Sequence, residues 1–153
     1  MKKMEEIGFE VTYLPVVGGY VDVENFARNI KPTTGLASIM CVNNEIGTKN
    51  NISEISDICV KEGVLLHSDC VQAAGLVLLA DIDADLISVS GHKIHAPKGT
   101  GCLYVKNKGL LSSVVFGGKQ EFGLRGGTEN VAGIVAFGEA MKNACKDWIK
   151  NIY

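Results

Sequence analysis

Short apolar runs recur along the chain at intervals that leave room for a helix or a loop between them. Most of these runs are bounded by glycine, asparagine or acidic residues. Continuous apolar runs of this length are typical of strands buried in a parallel sheet. The run at residues 36–42 suits such a buried strand, and further strands are predicted at residues 64–67, 86–89 and 102–105. A fifth strand is predicted at residues 9–14, where an alternating pattern ends at Pro15.

Three segments carry apolar residues at helical spacing. The first begins after Asp22, the second opens at Asn51 and the third runs from Asn130 to about residue 149. Residues 71–75 are predicted to form only a short helical turn. Because strands alternate with helices, we predict an α/β fold with a mainly parallel sheet and flanking helices.

The composition indicates one globular unit and excludes several classes of partner. The chain has 153 residues, is 46% hydrophobic and carries a formal net charge of -2. Its 15 basic residues are scattered, so we expect no direct binding of nucleic acid. No apolar run approaches the roughly 20 residues of a membrane span, and the first residues turn acidic. We therefore expect no membrane association and, by default, a cytoplasmic location.

The cysteines give no sign of a disulfide framework or of a metal site. They are odd in number, widely spaced, and include no C-x-x-C pair, which argues against structural zinc. Most lie in apolar stretches, as small buried hydrophobic residues do, and we assign none of them a catalytic role. They are Cys41, Cys59, Cys70, Cys102 and Cys145.

Polar residues with useful chemistry follow three of the predicted strands. Ligands of open parallel sheets bind outside the carboxyl ends of the strands, so we expect these side chains to converge on one site. They are Asn44, Asp69, Gln72, Ser90, His92 and Lys93.

Taken singly, each of these residues also has an ordinary structural explanation. An aspartate or asparagine after a strand is often a turn or cap residue, and a loop lysine is usually solvated. The glycine-rich stretches at residues 117–118 and 123–130 include Thr128. Their backbone amides could receive a phosphate, or the stretch could be a flexible connection that caps the last helix.

Taken together, the residues favour a site for pyridoxal phosphate. An amine that forms a Schiff base must be partly desolvated and held at a strand end, which is where Lys93 is placed. Asp69 would keep the pyridine nitrogen protonated, and Gln72 could approach the phenolic oxygen. Asn44 would bond to the cofactor. Ser90 and His92 could hold the phosphate.

Four runs, at residues 42–47, 67–72, 90–101 and 125–130, resemble the cysteine desulfurases in order and spacing. These enzymes belong to the class V aminotransferase group of pyridoxal phosphate enzymes. The resemblance implies the large domain of the aspartate aminotransferase-like fold. The chain departs from the family pattern at three positions. Phe122 stands where arginine is common, Ala96 where glycine is usual and Gly127 where serine is common.

The resemblance implies a role for each matching position. Lys93 would form the Schiff base and move a proton at the substrate's α-carbon, and Asp69 would pair with the pyridine nitrogen. Gln72, Asn44, Ser90 and His92 would contact the cofactor as described above. Thr128 would reach the phosphate of a neighbouring subunit, which implies a homodimer with shared sites.

The implied reaction removes sulfur from L-cysteine and gives L-alanine and an enzyme persulfide. The sulfur would pass to an acceptor or scaffold protein for iron-sulfur cluster assembly and other sulfur transfer. Two alternatives stay open. One is another class V enzyme, such as a selenocysteine lyase or an aminotransferase, and the other is a non-catalytic α/β interaction module.

The chain is much shorter than the members of the family that it resembles. Family members are more than twice as long, so we expect residues 1–153 to be the central part of the large, cofactor-binding domain. The N-terminal part and the C-terminal small domain would lie outside it. None of the five cysteines matches the family's persulfide cysteine, and the arginine that takes the substrate carboxylate is not identified either.

Overall fold

The structure is a computed structural model that describes the backbone of residues 1–151 and the side chains of residues 1–146. Short 3-10 turns lie at Leu79–Asp81, Gly91–Ile94, Lys108–Leu110 and Glu121–Gly123. The helices are α1 (Lys2–Glu6), α2 (Val23–Asn29), α3 (Ile52–Glu62) and α4 (Val131–Asn151). The strands are β1 (Val16–Val17), β2 (Tyr20–Val21), β3 (Leu36–Met40), β4 (Leu65–Asp69), β5 (Leu86–Ser90) and β6 (Gly101–Val105).

The main sheet has four strands in the order β3-β4-β5-β6. Strand β4 pairs in parallel with β3 and with β5, whereas β6 is antiparallel to β5. The predicted mainly parallel α/β architecture is therefore confirmed. The strands β1 and β2 form a separate antiparallel hairpin around Gly18 and Gly19.

One face of the main sheet packs against helices. Leu66 and Ile87 point to this face and join one buried cluster with Ile55 of α3, and the partly buried Phe137 of α4 packs against that cluster. Side chains alternate between the two faces of a strand. The opposite face carries partly polar positions and is more open, since Leu36 at its margin is 49% exposed.

Local capping explains where the helices begin and end. The Asp22 carboxylate accepts a hydrogen bond from the Asn25 amide at 3.0 Å at the start of α2. Asn51 accepts from the Glu54 amide at 3.4 Å at the start of α3. Gly63 ends α3 with φ 69°, a left-handed conformation that glycine adopts without strain. These caps confirm the first two predicted helices, and α4 confirms the third within two residues.

The strand predictions were mostly confirmed, with one error. The four apolar runs form β3 to β6, with bounds that differ by one or two residues from those predicted. Residues 9–14 form no strand, so that prediction was wrong. A strand needs a hydrogen-bonding neighbour, and within residues 1–151 this segment pairs with none, which leaves Phe9 and Tyr13 exposed.

Residues 71–75 form hydrogen-bonded turns rather than a helix. The Ala73 and Ala74 amides both donate to the Cys70 carbonyl.

No described helix is long and apolar enough to cross a bilayer.

Truncation of a buried side chain in α3 should destabilise the fold much more than truncation of an exposed one. Ile55 is 0% exposed and Val60, on the same helix, is 73% exposed. We expect Ile55→Ala to lower the free energy of unfolding by about 2–5 kcal/mol and Val60→Ala to change it by less than about 0.5 kcal/mol. Urea unfolding followed by circular dichroism measures both, and equal effects would contradict the described packing.

Candidate functional site

Three parallel strands end side by side at one edge of the sheet. Asp69 is the last residue of β4 and Ser90 is the last residue of β5. Met40, the last residue of β3, is the register partner of Asp69. Because the three strands are parallel, the segments that follow them begin at the same edge, which is the usual position of a ligand site in such sheets.

The Asp69 carboxylate lies half-buried on the more open face of the sheet. Its Oδ1 atom accepts a hydrogen bond from the Val71 amide at 2.9 Å, which fixes the orientation of the carboxylate at the strand end. Gln72 is half-buried in the turn that follows. An ordered carboxylate at a strand end can pair with a protonated ring nitrogen.

The segment after β5 places a hydroxyl and an imidazole together. Ser90 Oγ and His92 Nδ1 are 2.8 Å apart. The loop is closed by a hydrogen bond from the Gly91 amide to the Thr100 carbonyl at 2.8 Å. A Cβ atom at Gly91 would lie 3.0 Å from that carbonyl oxygen and would clash with the Thr100 side chain. Glycine is therefore required there, and it holds this segment close to the start of β6.

Lys93 follows directly in the same turn, and its side chain is exposed. The sequence led us to expect a partly desolvated amine. The described residues instead leave the amine exposed.

Asn44 lies in a tight turn after β3 and is also exposed. The turn is held by the neighbouring Asn43, whose Oδ1 atom accepts from the Glu45 amide at 2.8 Å and the Ile46 amide at 3.1 Å. Gly47 closes the turn with φ 72°. Asn43 is thus the residue that shapes the loop in which Asn44 is presented.

Asn50 was not identified from the sequence, although it fixes the end of β3. It is buried, and its Nδ2 atom donates to the Met40 carbonyl at 2.7 Å. Its Oδ1 atom accepts from the Val21 amide at 2.9 Å. Its sequence neighbours look like an ordinary polar turn before a helix, so no local pattern reveals these long-range bonds.

His67 was also missed, and it links the three parallel strands beneath Asp69. Its Nδ1 atom lies 2.8 Å from Ser38 Oγ on β3, and its Nε2 atom lies 2.8 Å from Ser88 Oγ on β5. Burial lowers the pKa of His67, and the nearby Asp69 carboxylate opposes this shift only partly. A neutral imidazole donates from one nitrogen and accepts at the other, which suits two serine hydroxyls.

Thr128 lies in the loop that leads into α4. It is exposed in the loop before α4, and none of the described hydrogen bonds joins it to the strand-end residues. The residue that caps α4 is Asn130, which accepts from the Gly133 amide at 3.1 Å, so the cap is not the threonine hydroxyl. Earlier in this loop, Gly126 approaches Gly117 so closely that a Cβ atom would lie 2.9 Å from the Gly117 Cα atom.

Sequence comparison identifies the family. The model of the class-V aminotransferase family matches residues 1–152. The cysteine desulfurase IscS of Clostridium botulinum is 45% identical over 147 residues, covering 94% of this chain and 37% of that protein. A probable mitochondrial cysteine desulfurase of Dictyostelium discoideum is 42% identical over 163 residues, covering 99% of this chain and 36% of that protein.

Solved structures agree with this result. A NifS-like protein superposes with a TM-score of 0.91 at 37% identity, covering 97% of this chain and 42% of the other. SspA in complex with cysteine superposes with a TM-score of 0.86 at 37% identity, covering 92% and 42%. The fold is thus that of a pyridoxal phosphate-dependent α/β enzyme. The chain belongs to the class-V aminotransferase family, and it spans a little over a third of the length of the curated relatives named above.

The donor set at the sheet edge fits pyridoxal phosphate. A carboxylate, a primary amine and a hydroxyl-imidazole pair are the groups needed for a ring nitrogen, an aldehyde and a phosphate, respectively. Asp69, Lys93 and the Ser90–His92 pair supply them at the ends of two adjacent strands. The residues fit the cofactor in the chemical groups that they offer and in their positions at the strand ends.

The lowered pKa of His67 predicts that acid weakens the fold. The unfolded chain binds this proton near the ordinary value of 6.5, whereas the folded chain binds it only at lower pH. Between these values the unfolded state holds more protons, so stability present above pH 6.5 is lost as the pH falls. We expect His67→Gln to flatten this dependence by at most about 1.4 kcal/mol per pH unit in urea unfolding between about pH 5.5 and 7.5.

His95→Asn is the matched control, because His95 is exposed and adopts φ 68°, which asparagine tolerates. Its pH dependence should remain that of the unmodified chain. A slope that His67→Gln leaves unchanged would show that the imidazole is not kept neutral by burial.

Proposed function

We propose that this chain forms the cofactor-binding part of a cysteine desulfurase, an enzyme that takes sulfur from L-cysteine and releases L-alanine. The observation that carries the proposal is the arrangement at the edge of the sheet. Asp69 ends β4, the Ser90–His92 pair begins at the end of the adjacent strand β5, and Lys93 follows in the same turn. The names of the relatives described above support this reaction within the family.

The role proposed for Lys93 follows from the chemistry of a primary amine. Pyridoxal phosphate supplies an aldehyde that condenses with amines and a protonated ring that withdraws electrons from the substrate's α-carbon. Lys93 Nζ would hold the aldehyde carbon before substrate binds and then, as a free amine, would accept and return the proton of the α-carbon. Its place in a turn closed on Thr100 gives the amine a fixed starting point at the strand end.

The role proposed for Asp69 is electrostatic. A carboxylate held by the Val71 amide would keep a proton on the ring nitrogen, so that the ring remains cationic near neutral pH. Ser90 and His92 would donate hydrogen bonds to the phosphate, while Gln72 and Asn44 would contact the ring substituents and ring face. These roles remain predictions carried over from the family motifs.

The wider setting is also proposed. Residues 1–153 would correspond to the central part of the large domain of the longer relatives, and the chain covers 37% of the IscS of Clostridium botulinum. A homodimer would let Thr128, which is exposed, serve the neighbouring site. An acceptor or scaffold protein for sulfur, iron-sulfur cluster assembly and a cytoplasmic location complete the proposal.

Borohydride trapping tests the cofactor lysine. Reduction in the presence of pyridoxal phosphate should fix a pyridoxyl group on the peptide that contains Lys93, because the amine and the bound aldehyde are then joined by a reducible bond. Lys93→Ala should lose at least about 90% of the label and all L-alanine formation from L-cysteine by the polypeptide that contains residues 1–153. Peptide mapping and amino-acid analysis are the measurements.

Lys98→Ala is the matched control, since Lys98 is an exposed lysine in the same loop. It should keep both the label and L-alanine formation. Labelling spread evenly over surface lysines would contradict the cofactor site, and label on Lys93 without L-alanine from L-cysteine would contradict the desulfurase reaction.

A further inference from the structure

Cys41 and Cys70 are cross-strand neighbours directly beyond the last register pair of β3 and β4. That last pair is Met40 and Asp69, and the Cys41 amide donates to the Asp69 carbonyl at 2.8 Å, so the ladder continues by one step. Neighbouring strands lie about 4.7–4.9 Å apart, which is within the Cα separation of about 4.4–6.8 Å that a disulfide spans. The backbone geometry therefore suits a covalent link between the two residues.

Both thiols point into the core, on the face of the sheet opposite Asp69. Each cysteine is 0% exposed. The thiols are hydrogen-bonded to each other, and Cys70 Sγ lies 3.5 Å from Ser68 Oγ. Because they lie behind the sheet from the candidate cofactor site, neither is placed to receive sulfur from a substrate there.

The two thiols are electrostatically unequal. The hydrogen bond from Cys41 lowers the pKa of Cys70 to about 7, while the same hydrogen bond raises the pKa of Cys41. Cys59 is a buried thiol without such a partner, and burial raises its pKa to about 11. The pair thus contains one thiolate-forming sulfur and one protonated sulfur, whereas Cys59 provides an internal comparison.

We propose that Cys41 and Cys70 are a redox modification site, a dithiol that a small hydroperoxide converts reversibly into a disulfide between the ends of β3 and β4. This proposal is independent of the proposed enzymatic function. The Cys70 thiol releases its proton, the thiolate attacks the peroxide, and the O–O bond breaks. Cys70 becomes a sulfenic acid, and the hydroxide that leaves takes up the released proton to form water. Cys41 then attacks that sulfur, the S–O bond breaks, the S–S bond forms and a second water leaves.

The balance is two thiols and one hydrogen peroxide giving one disulfide and two waters. The thiols lose two electrons and two protons, which the peroxide takes up. The link would join the segments that carry Asn44 and Asp69. Full burial restricts the site to small oxidants and shields it from bulky thiol reagents until the chain unfolds.

Peptide mapping tests the proposal on the purified chain with all its cysteines. Cleavage after lysine and arginine, with the Lys31–Pro32 bond resistant, places every cysteine on a separate peptide: 29–49, 50–61, 62–93, 99–106 and 143–146. The folded chain is treated with hydrogen peroxide, and the remaining thiols are then alkylated under denaturing conditions. We expect peptides 29–49 and 62–93 to be recovered joined, two hydrogens lighter than their sum, and to separate after dithiothreitol.

The internal and engineered controls sharpen the outcome. Peptide 50–61, which contains Cys59, should be recovered with an alkylated and unoxidised thiol. A bulky disulfide reagent should label only Cys102 and Cys145, which are exposed, before denaturation. Cys59→Ser should keep the cross-link, and Cys41→Ser should abolish it and leave Cys70 as a sulfenic or sulfinic acid.

Three results would overturn the proposal. The first is that Cys41 and Cys70 are both recovered as alkylated thiols at peroxide doses that oxidise Cys102. The second is that Cys70 is over-oxidised while Cys41 stays a thiol. The third is a cross-link between Cys70 and any cysteine other than Cys41. Each result is measured on the chain without substitutions, so the conclusion does not depend on whether a cysteine variant folds.

Discussion

The parallel pairing of β4 with a strand on each side is the constraint on which the candidate site depends. It fixes Met40, Asp69 and Ser88 in adjacent register positions. Each of these strands then leads into a polar segment at the same edge, and no side-chain contact between the three segments is needed to bring them there. The bonds of Asn50 and His67 reinforce the pairing, because each joins groups that are distant in sequence.

Successive side chains along β4 and the residue after it point to opposite faces of the sheet, so the adjacent residues Asp69 and Cys70 lie on different faces. Asp69 lies on the more open face, where a ligand can reach it, and Cys70 lies on the helix-covered face, where solvent cannot. The same backbone therefore places a carboxylate at the proposed cofactor site and a thiol beside Cys41. A covalent link at the thiols would act on the strand end that carries the carboxylate, without contact between the linked sulfurs and the ligand.

The apolar runs were sufficient to predict the four strands of the main sheet, because short apolar runs bounded by glycine or polar residues are typical of strands. The runs do not report strand direction or burial, since β6 is antiparallel and mostly exposed. Residues 9–14 show the limit of this inference: local alternation does not supply a pairing partner. The bonds of Asn50 and His67 depend on residues about 10 to 30 positions away, which periodicity does not report. The motif residues could be placed at strand ends, but the exposure of Lys93 depends on what covers the sheet, and a local motif carries no such information.

If the proposal is right, the segments following β3, β4 and β5 together form one pyridoxal phosphate site. The most direct test is to titrate the isotopically labelled chain with pyridoxal phosphate and follow its backbone amides by NMR. With one shared site, the largest shifts are expected to fall together in residues 43–47, 69–72 and 90–94. Shifts confined to isolated surface lysines, with residues 69–72 unmoved, would contradict it.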